Sequence, residues 1–194
     1  MFINWKSREI NLKIVYYGPA LSGKTTNLQY IHRKMNPSMR GELVSLKTRG
    51  DRTLYFDFLQ LELGQIASLK PRFNLYTVPG QVCYAKSREL VLQGADGLVF
   101  VADSQQQRLK DNLQMVRMME SNLGALGHSL RTMPLVLQCN KRDLPAVAPV
   151  SLMRQQLGFN GAPCFESVAT EGAGVFDTLK TVINLVVSHA QREL

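Results

Sequence analysis

Two short runs in the 194-residue chain carry residue types whose spacing can do chemistry. The first is Gly18-Pro19-Ala20-Leu21-Ser22-Gly23-Lys24-Thr25, which fits G-x-x-x-x-G-K-[ST]. In such a loop successive backbone N–H groups converge on a phosphate, and bulky side chains would block the turn. Gly18 and Gly23 permit that backbone. Lys24 is placed to bridge the β- and γ-phosphates, and the Thr25 hydroxyl to bind Mg²⁺. Ala20, Leu21, Ser22 and Thr26 complete the candidate phosphate cradle. The second run, Asn140-Lys141-Arg142-Asp143, fits N-K-x-D. A carboxylate at Asp143 matches the N1–H and N2–H₂ donors of guanine. Adenine offers no such pair and would leave the carboxylate unpaired. Lys141 can lay its stem along a base, and Asn140 can tie its loop to the phosphate loop.

Both runs need elements to hold them. Ile10 to Tyr17 reads as a strand, with Ile10, Leu12, Ile14 and Tyr16 alternating. The phosphate loop follows it, and a helix begins near Lys24 and ends before Pro37. Residues 38–52 read as a loop. Thr53 to Leu63, Arg72 to Val78, Leu98 to Ala102, Leu135 to Cys139 and Cys164 to Ala169 read as strands. Gln106 to Leu126, Ser151 to Leu157 and Val175 to Gln191 read as helices. The last carries Leu179, Val182, Ile183, Val186 and Val187 on one stripe. Strands alternating with helices predict an α/β fold: a mostly parallel sheet of six or seven strands, with helices on both faces. The length predicts one domain over residues 1–194.

Composition removes several classes. Apolar residues make up 45% and charged residues 20%, an ordinary globular balance. No apolar run approaches the roughly 20 residues of a spanning helix. The three cysteines form no metal or disulfide pattern and suggest a reducing compartment. The net charge of +8 is uneven: residues 1–97 hold 14 basic and 7 acidic side chains. The basic stretch from Arg33 to Arg52 interleaves no aromatic residues, so nucleic-acid binding is not expected. The chain carries neither a terminal C-a-a-X cysteine nor a myristoylation signal, so no stable lipid anchor is expected.

Thr77-Val78-Pro79-Gly80-Gln81 ends one predicted strand where Ras-type small GTPases carry D-x-x-G-Q. In that pattern the Gly N–H senses the γ-phosphate and the Gln orients the attacking water. Gly80 and Gln81 fit, whereas Thr77 replaces the Asp. Thr53 is the candidate first-switch threonine, binding Mg²⁺ and the γ-phosphate. Ser167-Val168-Ala169-Thr170 falls where such proteins approach the base. Val168 and Ala169 are the candidates there, with the Ala169 N–H placed to reach guanine O6.

The Tyr16-Tyr17-Gly18-Pro19 entry, Asp51-Arg52-Thr53-Leu54-Tyr55-Phe56-Asp57-Phe58, Thr77-Val78-Pro79-Gly80-Gln81, Val101-Ala102-Asp103-Ser104 and Asn140-Lys141-Arg142-Asp143-Leu144-Pro145 together resemble the bacterial MglA family. These are Ras-like GTPases of cell polarity and of gliding or twitching motility. The resemblance runs from about Ile3 to Val187. It implies a P-loop NTPase with a Ras-like G domain, GTP or GDP with Mg²⁺, and slow intrinsic hydrolysis. Arg52 matches the family's cis arginine finger and Gln81 its water-positioning residue. It also implies stimulation by a roadblock-type homodimer, MglB, together with polarity or motility effectors. The location implied is cytoplasmic, with recruitment to cell poles by protein partners. Ala20 and Ser22 stand where the family often shows Gly and Cys.

The resemblance leaves the Mg²⁺ contact of the missing Asp unassigned. Asp57 is the candidate substitute, on a strand expected to neighbour Thr77. In the family the strand after the first switch shifts register. Here Leu54, Phe56 and Phe58 share one phase and Leu59, Leu61 and Leu63 the other, which suits slippage. A bulged strand without movement fits the same pattern. A different class of function is a weakly hydrolysing GTP-binding interaction module, with the nucleotide as a structural ligand. The presence of both Arg52 and Gln81 favours hydrolysis.

Overall fold

The computed structural model describes residues 1–47, 55–66, 68–81 and 84–193. The strands are β1 (Phe2–Asn4), β2 (Glu9–Tyr17), β3 (Val44–Lys47), β4 (Tyr55–Glu62), β5 (Lys70–Thr77), β6 (Gly97–Asp103), β7 (Leu135–Asn140) and β8 (Cys164–Ser167). The helices are α1 (Lys24–Lys34), α2 (Ala85–Leu92), α3 (Leu109–Ala125), α4 (Val150–Leu157) and α5 (Val175–Glu193). One sheet orders its strands β3-β4-β5-β2-β6-β7-β8, and β1 adds antiparallel to β2. The pairs β2–β5, β2–β6, β6–β7 and β7–β8 are parallel, while β3–β4 and β4–β5 are antiparallel. The sheet therefore has eight strands among the described residues, one more than the upper expectation.

Strand alternation builds both cores. Along β2, Ile10, Leu12, Ile14 and Tyr16 face the layer holding Leu28 and Ile31 of α1 and Val182 and Val186 of α5. Val15 and Tyr17 face the opposite layer, with Met115 and Met119 of α3 and Met153 of α4. Strands β6 and β7 are buried at every position, as a central parallel strand must be. Fully burying each Leu or Ile contributes about 2 kcal/mol.

Three elements escaped the sequence. The loop expected over residues 38–52 contains β3, whose four residues include exposed Val44 and Leu46. Helix α2 has no side-chain cap to announce it. Strand β1 has three residues, and Phe2 at its start is exposed. Helix α3 starts later than expected, after a 3₁₀ turn at Gln106–Arg108. Strand β4 pairs with β5 without a bulge from Phe58↔Tyr76 to Glu62↔Arg72. Asp57, Leu59 and Leu61 lie on its buried phase.

Candidate functional site

Strand β2 runs into the loop 18–23, and α1 begins at Lys24. Gly18, Leu21 and Gly23 all take positive φ, at 146°, 64° and 104°. Alternating backbone of this kind makes a concave nest for an anion. A Cβ on Gly18 would overlap the Val101 carbonyl oxygen, and one on Gly23 would overlap the Asn140 amide. Gly23 gives α1 no side-chain cap, so the amides of its first turn are left for a ligand. The Ser22 hydroxyl is buried and has no partner among the described residues.

The Lys24 ammonium is buried and donates to the carbonyls of Gly18 (2.9 Å) and Pro19 (2.6 Å). Burial pushes its pKa down to about 7, and the nearby Asp57 carboxylate opposes that shift. Asp57 gathers three hydroxyls. Thr25 Oγ1 and Thr77 Oγ1 donate to Oδ2 at 2.5 and 2.9 Å, and Ser45 Oγ donates to Oδ1 at 2.6 Å. The Asp57 N–H in turn donates to Thr77 Oγ1 at 2.9 Å. Thr77 thus fixes Asp57 from both its backbone and its carboxylate.

A cavity of about 490 Å³ opens on this side of the loop. Ala20, Lys24, Thr25, Asp57, Gly80 and Gln81 are among its lining residues. Gly80 lies so close to the phosphate loop that a Cβ there would overlap the Ala20 backbone nitrogen. A second cavity, of about 270 Å³, opens on the other side and is lined by Gly23, Thr26, Asn140, Lys141, Asp143 and Ala169, among others. Leu21, 84% exposed, stands between the two and lines both.

Asn140 joins the two sides. Its Nδ2 donates to the Ser22 carbonyl at 2.7 Å, and its Oδ1 accepts from Ser167 Oγ and the Ala169 N–H, both at 3.0 Å. The Ala169 N–H, the candidate contact to a base carbonyl, donates to Asn140 Oδ1 in this structure. Val168 is not among the residues lining the cavity, and its backbone bridges to Ala173. Lys141 takes φ +67° and its ammonium holds the buried Asp103 carboxylate at 2.7 Å. Arg108 approaches the same carboxylate and donates to the Ala20 carbonyl at 2.9 Å. From sequence, Asp103 entered only within a run that carries the family resemblance, and neither Asp103 nor Arg108 received a role. The bend from the 3₁₀ turn into α3, which aims Arg108, has no signature in residue types. Arg52 and Thr53 lie outside the described residues. The described residues hold no group of three or more His, Cys, Asp or Glu placed to bind a metal.

A phosphate loop between β2 and α1, with N-K-x-D at the end of a parallel strand on the same sheet edge, defines a P-loop G domain of the Ras-like class. No family model matches the chain. It is 53% identical over 191 residues to the mutual gliding-motility protein MglA of Myxococcus xanthus, covering 98% of each. It is 27% identical over 154 residues to ADP-ribosylation factor-like protein 6 of Caenorhabditis elegans, covering 77% of this chain and 70% of that one. The chain belongs to the MglA family of Ras-like small GTPases.

Proposed function

We propose that the protein is a GTP-binding and GTP-hydrolysing switch of gliding or twitching motility and cell polarity, built as one G domain. The observation that carries this reading is the Asn140 bridge to Ser22. It holds the guanine-type carboxylate of Asp143 and the phosphate-type Lys24 on two sides of one loop. Lys24 neutralises phosphate charge, and the α1 amides receive the phosphate oxygens. Asp143 selects guanine. The Gly80 N–H meets the γ-phosphate, and Gln81 orients the attacking water.

The donor set suits a hard divalent cation. Thr25 and Asp57 supply oxygens within hydrogen-bond reach of each other, and among the described residues no sulfur lines the cavity. Mg²⁺ held there, with Thr53 as a further ligand, would neutralise charge on the β- and γ-phosphates. Arg52 is assigned the cis finger. A roadblock-type MglB homodimer is the proposed activator, and effectors of motility the proposed readers. No helix among the described residues is long and apolar enough to cross a membrane. Protein partners in the cytoplasm are proposed to set its location.

The test is single-turnover GTP hydrolysis with Mg²⁺, with and without the roadblock dimer, for wild type, Arg52→Ala and Gln81→Ala. Slow turnover, strong stimulation and loss of both in each variant is the expected result. Flat traces with GTP still bound would move the protein to the interaction-module class. Equal affinity for ATP would overturn the guanine assignment.

A further inference from the structure

Arg88 lies on α2, away from the lining of both cavities, and its side chain is fully buried. Its Nη1 donates to the carbonyl of Gln81 and approaches the carbonyl of Pro79 at 3.4 Å. These two carbonyls flank Gly80 on either side. Its Nη2 rests 3.8 Å from Met118 Sδ on α3. The guanidinium also faces the hydroxyl of Tyr17, which accepts from Asn122 of α3 at 3.2 Å. Tyr17 is the residue immediately before the phosphate loop. One side chain therefore spans α2, α3, the end of β2 and the segment that carries Gly80 and Gln81.

A guanidinium taken wholly out of water is expensive, and an apolar side chain of similar volume would pack there at lower cost. What Arg offers instead is a planar fork with donors at fixed angles. Here it holds the backbone on both sides of Gly80, which packs against Ala20. The Gln81 side chain is left exposed while its carbonyl is held.

We propose that Arg88 is the positioning residue of the second switch: by gripping the Pro79 and Gln81 carbonyls it sets where the Gly80 N–H meets a third phosphate and where the Gln81 amide meets the attacking water. This rests on the GTPase reading above. It assigns Arg88 no contact with nucleotide. Its effect falls on discrimination between triphosphate and diphosphate and on the chemical step, and leaves diphosphate binding alone.

The experiment compares wild type with Arg88→Met and Arg88→Lys. Fluorescent GDP and a non-hydrolysable GTP analogue are titrated, and single-turnover hydrolysis is followed with Mg²⁺. Arg88→Met should lose about 100-fold in hydrolysis, the scale of a reacting group misplaced by about 1 Å. Its preference for the triphosphate should fall about tenfold, the value of one lost hydrogen bond to an anion. GDP affinity should stay at the wild-type value. Arg88→Lys keeps the charge without the fork and should recover only part of the rate. If Arg88→Met does not fold, the same split in Arg88→Lys carries the test. Wild-type hydrolysis in Arg88→Met, or GDP affinity falling in step with the rate, would overturn the proposal. If wild type itself does not hydrolyse GTP, the hydrolysis reading fails. The clamp is then judged on the triphosphate preference alone, and an unchanged preference in both variants sinks it.

Discussion

The Thr25 hydroxyl donates to the Asp57 carboxylate at 2.5 Å, across 32 residues of sequence. The first comes from the helix that follows the phosphate loop and the second from an antiparallel strand nearer the sheet edge. Thr77 sits beneath them where Ras-type proteins place an acid, and it orients Asp57 by accepting from its N–H and donating to its Oδ2. On the proposed reading, the acid has changed strands and the hydroxyl has taken the vacated position.

Replacing Asp57 tests that exchange. Asp57→Asn keeps the shape and removes the charge. Fluorescent GDP should leave the variant roughly 10- to 100-fold faster in Mg²⁺, the range for losing one charged hydrogen-bonding partner. In EDTA the two proteins should release it at the same rate. Identical rates in Mg²⁺ would place the cation contact elsewhere.

The depressed Lys24 pKa of about 7 has two consequences of fixed sign. Between that value and the ordinary 10.5, an unfolded lysine holds a proton that the folded one lacks. Stability without nucleotide should therefore rise with pH through that window. A phosphate beside Lys24 favours the charged form, so nucleotide binding above pH 7 should take up a proton. Titration calorimetry in two buffers of different ionisation enthalpy reads this directly. Equal heats in both, or an uptake that survives Lys24→Met, would refute it.

Asn140 answers for two loops at once. Asn140→Ala strands the Ser22 carbonyl, the Ser167 hydroxyl and the Ala169 N–H. The expected loss is roughly 3 kcal/mol, seen as a lower urea midpoint at unchanged slope. A midpoint within error of wild type would show that other contacts hold the loops together.

Gly97 opens β6 against α5. A Cβ there would overlap Val186 Cγ2. Alanine normally steadies a strand relative to glycine. Here Gly97→Ala should instead destabilise by about 1–3 kcal/mol. Val186→Ala in the same chain should return much of that loss, because the two sites share one contact. Additive losses in the double variant would rule out the overlap as the cause.

The phosphate loop and the 140–143 run were legible because their chemistry fixes residue types at fixed spacing. Strands β6 and β7 were legible because both faces are buried and the apolar run is unbroken. Strand β3 was not, since a four-residue edge strand buries too little to impose a pattern. Ser45, which holds Asp57, fell inside the expected loop for the same reason. Asp57 itself was singled out, but Thr77's two hydrogen bonds to it depend on where β4 stops pairing with β5. Arg88 received no reading from the sequence, in which α2 itself went unrecognised. Only the packing of α2 against α3 turns it inward.

In the 140–143 loop, anchorage and the proposed reading of the base fall to different side chains. Asn140 fastens the loop to its surroundings, whereas Asp143 is exposed at the cavity wall and makes none of those fastenings. Ligand choice is therefore modular. An altered base preference can be installed at Asp143 without rebuilding the joint behind it, and the scaffold can drift elsewhere without losing the letter it recognises.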